Sequence, residues 1–458
     1  MRLTALIGAA LALATALPAT AQVPPRYTPK PYVTLTHPAW SRDATLYQIN
    51  TRQFTPEGTF KAAQAQLPRL KALGVDIIWL MPIQPIGVKN RKGSLGSPYS
   101  VRDYRAVNPE FGTLADLKSF VATAHKLGMH VILDWVANHS AWDNALATQH
   151  PDWYDHDWKG DFRPTPWFDW SDIVDFDYSK PGLRQYMTQS MAYWLRAADI
   201  DGFRCDVAAL VPIDFWENAR AELSAIKPVF MLAEADIAEH HRRAFDASYA
   251  WMWGDTLANI SQGKAGADAL YGYYSATETS WPHEAMRMLF TSNHDKNAWE
   301  GTEFERFGPN LTNAIVLTFV SEGLPLIYNG QEAGNDKRLA FFERDPIKWR
   351  DHPNAALFTR LTALKKAHPA LWNGQWGAPM VPVVNSAPAQ VLSFTRTKGS
   401  DKFLALFNMS DKPVTVTLKD GPYAGRYTDW DGGAAVTLAD GASVTLPAWS
   451  HRVLIGAK

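Results

Sequence analysis

Four short stretches of this chain place acids, histidines and an arginine where apolar packing does not ask for them. His130–Val136 is apolar apart from His130 and Asp134 and leads into Asn138 and His139. Gly202–Ala208 carries Arg204 and Asp206 two residues apart, and Val229–Ala235 carries Glu234. The run ending at Ser292 is followed by Asn293, His294 and Asp295. Burying an unpaired charge is costly, so each of these residues needs a partner or a chemical task. Singly, each has an ordinary reading. Asp134 can satisfy backbone donors, Arg204 can pair with Asp206, and the histidines can be hydrogen-bonded loop residues. Together, four acids, two histidines and an arginine at the ends of apolar runs suit general acid, general base and nucleophilic chemistry on one rim.

The elements that carry them alternate two patterns from about Ala44 to Ala367. Val75–Ile83, His130–Val136, Gly202–Ala208, Val229–Ala235, Met288–Ser292 and Leu324–Asn329 are short apolar runs of the kind that form buried parallel strands. Thr45–Phe54 and Phe245–Trp251 bring the number to eight. Between them lie helical periods. In Thr113–Leu127, Thr113 and Asp116 form a capping-box pattern before one apolar face, and Gly128 follows as a helix stop. Pro212–Ile226 repeats the pattern with Phe215, Trp216, Ala219, Leu223 and Ile226. Eight such units predict an α/β fold built on a (β/α)8 barrel of the TIM type, in which chemistry sits at the C-terminal ends of the strands.

Two regions break this rhythm. Residues 140–178 have no sustained period and hold Trp142, Trp153, Trp158, Trp167 and Trp170, which predicts a short inserted domain after the third strand. Its tryptophans suit either a small core or stacking platforms, and most are expected to be core. From 372 to 458 the period turns to two, in Val391–Thr397, Phe403–Asn408, Val414–Leu418 and Ser443–Leu446, which predicts a C-terminal antiparallel β-sandwich. The barrel is then 22–139 with 179–371.

Residues 1–21 stand outside this scheme. Arg2, the apolar Leu3–Leu17, Pro18 and Ala19-Thr20-Ala21 fit a cleaved signal peptide, so the mature protein is expected to start near Gln22 and to be periplasmic or extracellular. No later run is long enough to span a membrane. Lys and Arg number 45 against 46 Asp and Glu, a balance that argues against a nucleic-acid partner. The single cysteine, Cys205, excludes an intramolecular disulfide and a cysteine-rich zinc site. No nucleotide-binding loop is visible, and no organic cofactor is implied.

The four stretches Asp134-Trp135-Val136-Ala137-Asn138-His139, Gly202–Ala208, Leu232-Ala233-Glu234 and Phe290–Asp295 resemble, in order, the signature regions of the α-amylase family of glycoside hydrolases. Tyr99–Tyr104, Asn108–Thr113 and Pro325–Glu332 agree with the same family. The resemblance implies a retaining hydrolase of α-glucosidic, mainly α-1,4, bonds in starch-type glucans or malto-oligosaccharides. It implies Asp206 as nucleophile, kept ionised by Arg204, and Glu234 as general acid and then base. It implies Asp295, His139 and His294 on the sugar hydroxyls and Tyr99 stacked beneath the ring. Such an enzyme retains the anomeric configuration.

The resemblance also implies a structural Ca2+ held by Asn138 and Asp175, although hydrogen bonding between the barrel and the insert accounts equally for that pair. Val207-Ala208-Ala209-Leu210 lacks the Lys-His pair of typical α-amylases. Gly96 stands where exo-acting α-glucosidases of the family carry an acid, which points to an endo-type or malto-oligosaccharide enzyme. Val207 resembles members that accept α-1,6 bonds. A transglycosylase or glucosyl isomerase would use the same carboxyls, so cyclomaltodextrinase-like, neopullulanase-like and trehalose synthase-like activities stay open. A non-catalytic sugar-binding relative would lack one of the three acids.

Overall fold

The computed structural model describes residues 32–457, so the leader expected at 1–21 lies outside the described residues. Eight parallel strands close a barrel: β1 (Leu46–Ile49), β2 (Ile77–Leu80), β3 (His130–Val136), β4 (Gly202–Asp206), β5 (Phe230–Ala233), β6 (Ala247–Tyr249), β7 (Met286–Leu289) and β8 (Leu324–Tyr328). Each pairs with its neighbours in chain order, and β8 closes on β1 with Leu326 opposite Leu46.

Alternation along each strand decides what faces inward. Leu46, Ile77, Trp79, Ile132, Phe230, Leu232, Ala247, Tyr249, Met286, Met288, Leu324 and Leu326 form one buried cluster that fills the barrel. The intervening residues, such as Val131, Leu133, Trp135, Phe203 and Cys205, pack outward against the helices. β4 gives the barrel no apolar side chain. On the inward parity it places Gly202, Arg204 and Asp206. Gly202 has a φ of +156°, and a Cβ there would stand 1.8 Å from the carbonyl oxygen of Phe230, so only glycine lets β4 approach β5 this closely.

Two expected strands end elsewhere. The Thr45–Phe54 run is strand only to Ile49, after which Thr51–Phe54 makes one buried helical turn. The apolar pattern stops at Ile49, and Asn50-Thr51-Arg52-Gln53 is polar. The seventh strand is Met286–Leu289 rather than Met288–Ser292, and its ladder with β8 stops at Leu289 opposite Pro325, which has no N–H to extend it. Helix Leu114–Lys126 carries the expected capping box, with Asp116 N–H donating to Thr113 Oγ1 (3.2 Å) and Thr113 N–H to Asp116 Oδ2 (2.8 Å).

After β3 the chain leaves the barrel, and His139–Ala141 pairs antiparallel with Ile173–Asp175. None of the five tryptophans of this excursion is fully buried. Trp142 and Trp153 pack partly, Trp158 and Trp167 are 89% and 102% exposed, and Trp170 lines the cleft described below. The segment's interior is made instead by Tyr154 and Phe176, whose ring centroids are 4.8 Å apart. So short and acidic an excursion cannot enclose five indoles.

The C-terminal strands form a six-stranded and a three-stranded antiparallel sheet. In strand Asp401–Asn408, Leu404 and Leu406 face the sandwich interior while Phe403, Ala405 and Phe407 join the core that surrounds the barrel. Among the described residues no helix is long and apolar enough to cross a membrane.

Candidate active site

The inward parity of β3, β4 and β5 brings the acids together at the C-terminal rim. Asp134 pairs across β3 and β4 with Arg204, Val136 pairs with Asp206, and Glu234 follows directly on the last residue of β5. Arg204 is fully buried and organises the group. Its Nη1 donates to Asp134 Oδ1 (2.8 Å) and Asp206 Oδ1 (2.9 Å), and its Nε donates to the Tyr249 hydroxyl (3.1 Å). Its Nη2 lies 2.7 Å from Glu234 Oε1, an ion pair whose angle falls outside hydrogen-bond geometry. Trp79, Tyr99 and Tyr249 surround the guanidinium, with its carbon 5.0–5.6 Å from their ring centroids.

A second chain of bonds fixes His294. The Gln48 amide donates to His294 Nδ1 (2.7 Å), so Nε2 carries the proton and faces the Tyr99 hydroxyl (2.7 Å) and Asp295 Oδ2 (3.2 Å). Tyr99 in turn donates to Asp134 Oδ2 (3.1 Å), which also accepts from Trp79 Nε1 (3.0 Å). Burial and the charge of Arg204 hold the imidazole of His294 well below its usual range, so it is neutral. Burial likewise brings His139 down to about 4.

The acids interact strongly. Burial, Glu234 and Asp134 push Asp295 up to about 7, against the pull of Arg204. Burial pushes Asp206 upward too, helped by Glu234, Asp134 and Asp295. The resemblance assigns to Arg204 the task of keeping Asp206 ionised. The guanidinium pulls in that direction, but it is shared with Asp134 and Glu234, and three neighbouring acids oppose it.

Asp206, Glu234, Asp295, Tyr99, His139 and His294 all line one cleft of about 610 Å³, and Arg204 lies behind them. The cleft also takes in residues that sequence reasoning missed: Lys92, Asp169, Asp172, Trp299, Phe341 and Phe342. Trp299 is carried to the rim by a π-helical turn, Lys296–Glu300, directly after Asp295. Phe341-Phe342 is an aromatic pair in a polar loop, a signal visible in the sequence.

The loop after β2 ties the surroundings of this cleft together. Ser94 N–H donates to Glu343 Oε1 (2.7 Å), and the Ser94 hydroxyl bonds the same carboxylate. Leu95 N–H donates to the Phe342 carbonyl (3.1 Å). Lys92 donates to the Asp169 carbonyl (2.5 Å) and lies 3.6 Å from Asp172. Beneath the loop, buried Arg52 donates to the carbonyls of Gly96 (3.0 Å) and Leu95 (3.3 Å).

Asn138 and Asp175 meet each other. Asn138 Nδ2 donates to Asp175 Oδ1 (3.0 Å), which also accepts from the Thr165 hydroxyl (2.5 Å). Burial pushes Asp175 up to about 6. Calcium needs six to eight oxygens with carboxylates held ionised, and one carboxylate already bonded to an amide N–H and a hydroxyl does not fit it. Among the described residues no three His, Cys, Asp or Glu side chains gather as a metal site.

Residues 39–377 match the family model described as alpha amylase, catalytic domain. The chain is 31% identical over 436 residues to an α-amylase of Haloarcula japonica, covering 89% of this chain and 62% of that protein. It therefore spans about three-fifths of that relative's length. Among solved structures, an α-amylase from Lactobacillus plantarum is similar at 31% identity and a TM-score of 0.81, covering 91% of this chain and 99% of that one. A noncanonic maltogenic α-amylase from Thermotoga neapolitana is similar at 30% identity and a TM-score of 0.83, with the same coverage.

Proposed function

Because the chain belongs to the α-amylase family, we propose that it cleaves α-glucosidic, mainly α-1,4, bonds of malto-oligosaccharides and starch-type glucans with retention. The observation that carries this reading is the sharing of one buried guanidinium by Asp206 and Glu234 at the mouth of the barrel. Asp206 attacks the anomeric carbon while Glu234 gives its proton to the departing glycosidic oxygen. A covalent glucosyl ester forms and the C–O bond to the leaving sugar breaks. Glu234, now a carboxylate, takes a proton from water as that water attacks the same carbon and frees Asp206. Asp295, His139 and neutral His294 hold the hydroxyls of the reacting ring, and Tyr99 supports its face. In a transglycosylase the acceptor in the second step is a sugar hydroxyl instead of water, with the same residues in the same roles.

The loop after β2 is bound to Phe342-Glu343 on one side and to Asp169 and Asp172 on the other, and together these segments give Lys92, Asp169, Asp172 and Phe342 to the cleft wall, which suits a malto-oligosaccharide substrate. Export through residues 1–21 belongs to the same reading, and mass spectrometry of the native protein tests it, since retention of Met1 would overturn it. The decisive experiment for the function is digestion of maltoheptaose followed by NMR. Initial release of α-anomers supports the mechanism, and β-anomers or no cleavage would sink it.

A further inference from the structure

Beyond Tyr99 the cleft carries an aromatic wall that the chemistry at the reacting ring does not use. The Phe341 ring lies nearly parallel to those of Tyr99 and His294, at 13° and 25°, with its centroid 6.2 Å from each. Trp299 continues the wall, its centroid 5.4 Å from Phe341 and 5.9 Å from Phe342. Trp299 lines the cleft and is 57% exposed. An indole left in water at the mouth of a cleft forgoes the gain of burial, so this wall is set to receive an apolar face.

The wall is held in place before anything binds. Trp299 sits on the π-helical turn Lys296–Glu300. Lys296 Nζ donates to Asp255 Oδ1 and to Glu300 Oε1, both at 2.6 Å, which pins the turn to helix Trp251–Ser261. Buried Asn297 ties the same turn to the loop that carries Phe341. Its Nδ2 donates to the Lys337 carbonyl (3.1 Å), and its Oδ1 accepts from the Leu339 N–H (2.9 Å). A platform fixed in advance loses little freedom when it is occupied.

Its position in the barrel decides what lies on it. Glu234 gives its proton to the leaving oxygen, so the leaving sugar departs on the side of β4 and β5, beside Val207. Phe341 follows β8 and Lys92 follows β2, and in the closed order β8 and β2 each stand three strands from β5. The wall therefore borders the opposite, non-reducing end of the reacting ring. Polar groups reach the same part of the cleft. The loop after β2 bonds Phe342 through Leu95 and brings in Lys92, and Lys92 bonds the backbone of Asp169, whose exposed side chain also lines the cleft. Aromatic faces beside hydrogen-bonding edges suit a sugar ring, with its C–H face on the rings and its hydroxyls toward Lys92 and Asp169. We propose that Trp299 and Phe341 are specificity-determining residues that seat a second glucosyl unit on the non-reducing side of the reacting one. The enzyme then acts on α-maltosyl and longer donors in preference to single α-glucosides. The inference rests on the functional reading above. Binding energy from this second unit, remote from the bond that breaks, lowers the barrier at the reacting ring.

The test compares p-nitrophenyl α-maltoside with p-nitrophenyl α-glucoside, which share a leaving group and differ only in the second unit. In the wild-type enzyme kcat/KM for the maltoside should exceed that for the glucoside by at least about 10²-fold. Trp299→Ala should lower this ratio at least about tenfold, and Trp299→Phe should restore most of it. Trp299 is more than half exposed, so its truncation spares the fold, and thermal melting verifies this. A wild-type ratio near one, or a ratio that Trp299→Ala leaves unchanged, overturns the seat for the second unit alone. Failure of the wild-type enzyme to cleave either chromogenic substrate or maltoheptaose overturns the functional reading instead.

Discussion

The backbone N–H of Val207 donates to Glu234 Oε2 at 2.8 Å, so the residue that follows Asp206 on β4 fixes the carboxyl that follows β5. Val207 achieves this at a φ of +34°, in the left-handed region that β-branched residues avoid. Backbone strain of this kind costs about 1–3 kcal/mol and persists where the surrounding structure over-determines it. Val207→Gly removes the strain and keeps the N–H, at a backbone-entropy cost of about 0.5–1 kcal/mol. We expect its melting temperature to equal or exceed that of the wild type. Calorimetry showing a loss of several degrees would mean that Val207 is held by packing and not against its own preference.

Asp295 is raised to about 7 by burial and by its acidic neighbours, so its ionised form is a burden on the folded state. The sign follows from linkage: the penalty is full above about pH 7, shrinks as the pH falls, and is gone below the unfolded value near 4. Asp295→Asn should therefore melt higher than wild type at pH 8, with a gain that disappears by pH 4. It should also lower turnover by at least about 10²-fold. Asp295 is one of the groups that raise Asp206, so the acid limb of the residual kcat/KM should move to lower pH. A pH–rate profile with an unchanged acid limb would remove Asp295 from the coupled group.

Arg204 holds Asp134, Asp206 and Glu234 at once through a planar fork. Lysine keeps the charge but has no fork. Arg204→Lys should cost turnover at least about 10²-fold, and stability by about 3–5 kcal/mol, as expected when a buried ion-pair network is broken. Denaturant melts and steady-state kinetics measure both. Near wild-type kinetics would show that charge alone suffices at this position.

The tie between Asn138, Thr165 and Asp175 satisfies itself without a metal. Added chelator should leave the melting temperature unchanged. Asp175→Asn should be mild, because burial already raises this carboxyl to about 6. A drop of several degrees with chelator, restored by calcium, would show that ligands outside this pair complete a site.

Ser94 and Glu343 join the loops after β2 and β8. Glu343→Ala, at a solvent-facing pair, should leave maltotriose hydrolysis within about twofold while shifting the products from amylose toward longer oligosaccharides. An unchanged product ladder by chromatography would show that this contact does not bound the substrate.

The barrel was legible because each buried strand is an apolar run punctuated by helical periods, and Asp134, Arg204, Asp206 and Glu234 stood out as charges inside those runs. Local pattern did not carry the rest. Pairing of Arg204 with Asp206 could be anticipated from their spacing, but its sharing with Glu234 depends on the register of β4 against β5. Trp170, Phe341 and Phe342 reach the cleft from long loops whose course no period records. The tryptophans of the excursion misled for a related reason. Their abundance signals a core only where enough chain surrounds them, and the exposed Trp158 and Trp167 have no such shell.

Residues 403–408 of the strand Asp401–Asn408 are wetted on neither side: the phenylalanines press on the barrel's outer layer and the leucines on the opposing small sheet. The sandwich is thus a shared wall and not an appendage. Severed near residue 372, the catalytic half would be left with a raw, greasy flank and would clump before it could work. Any shuffling of this enzyme's parts must move both halves together or furnish a substitute cladding.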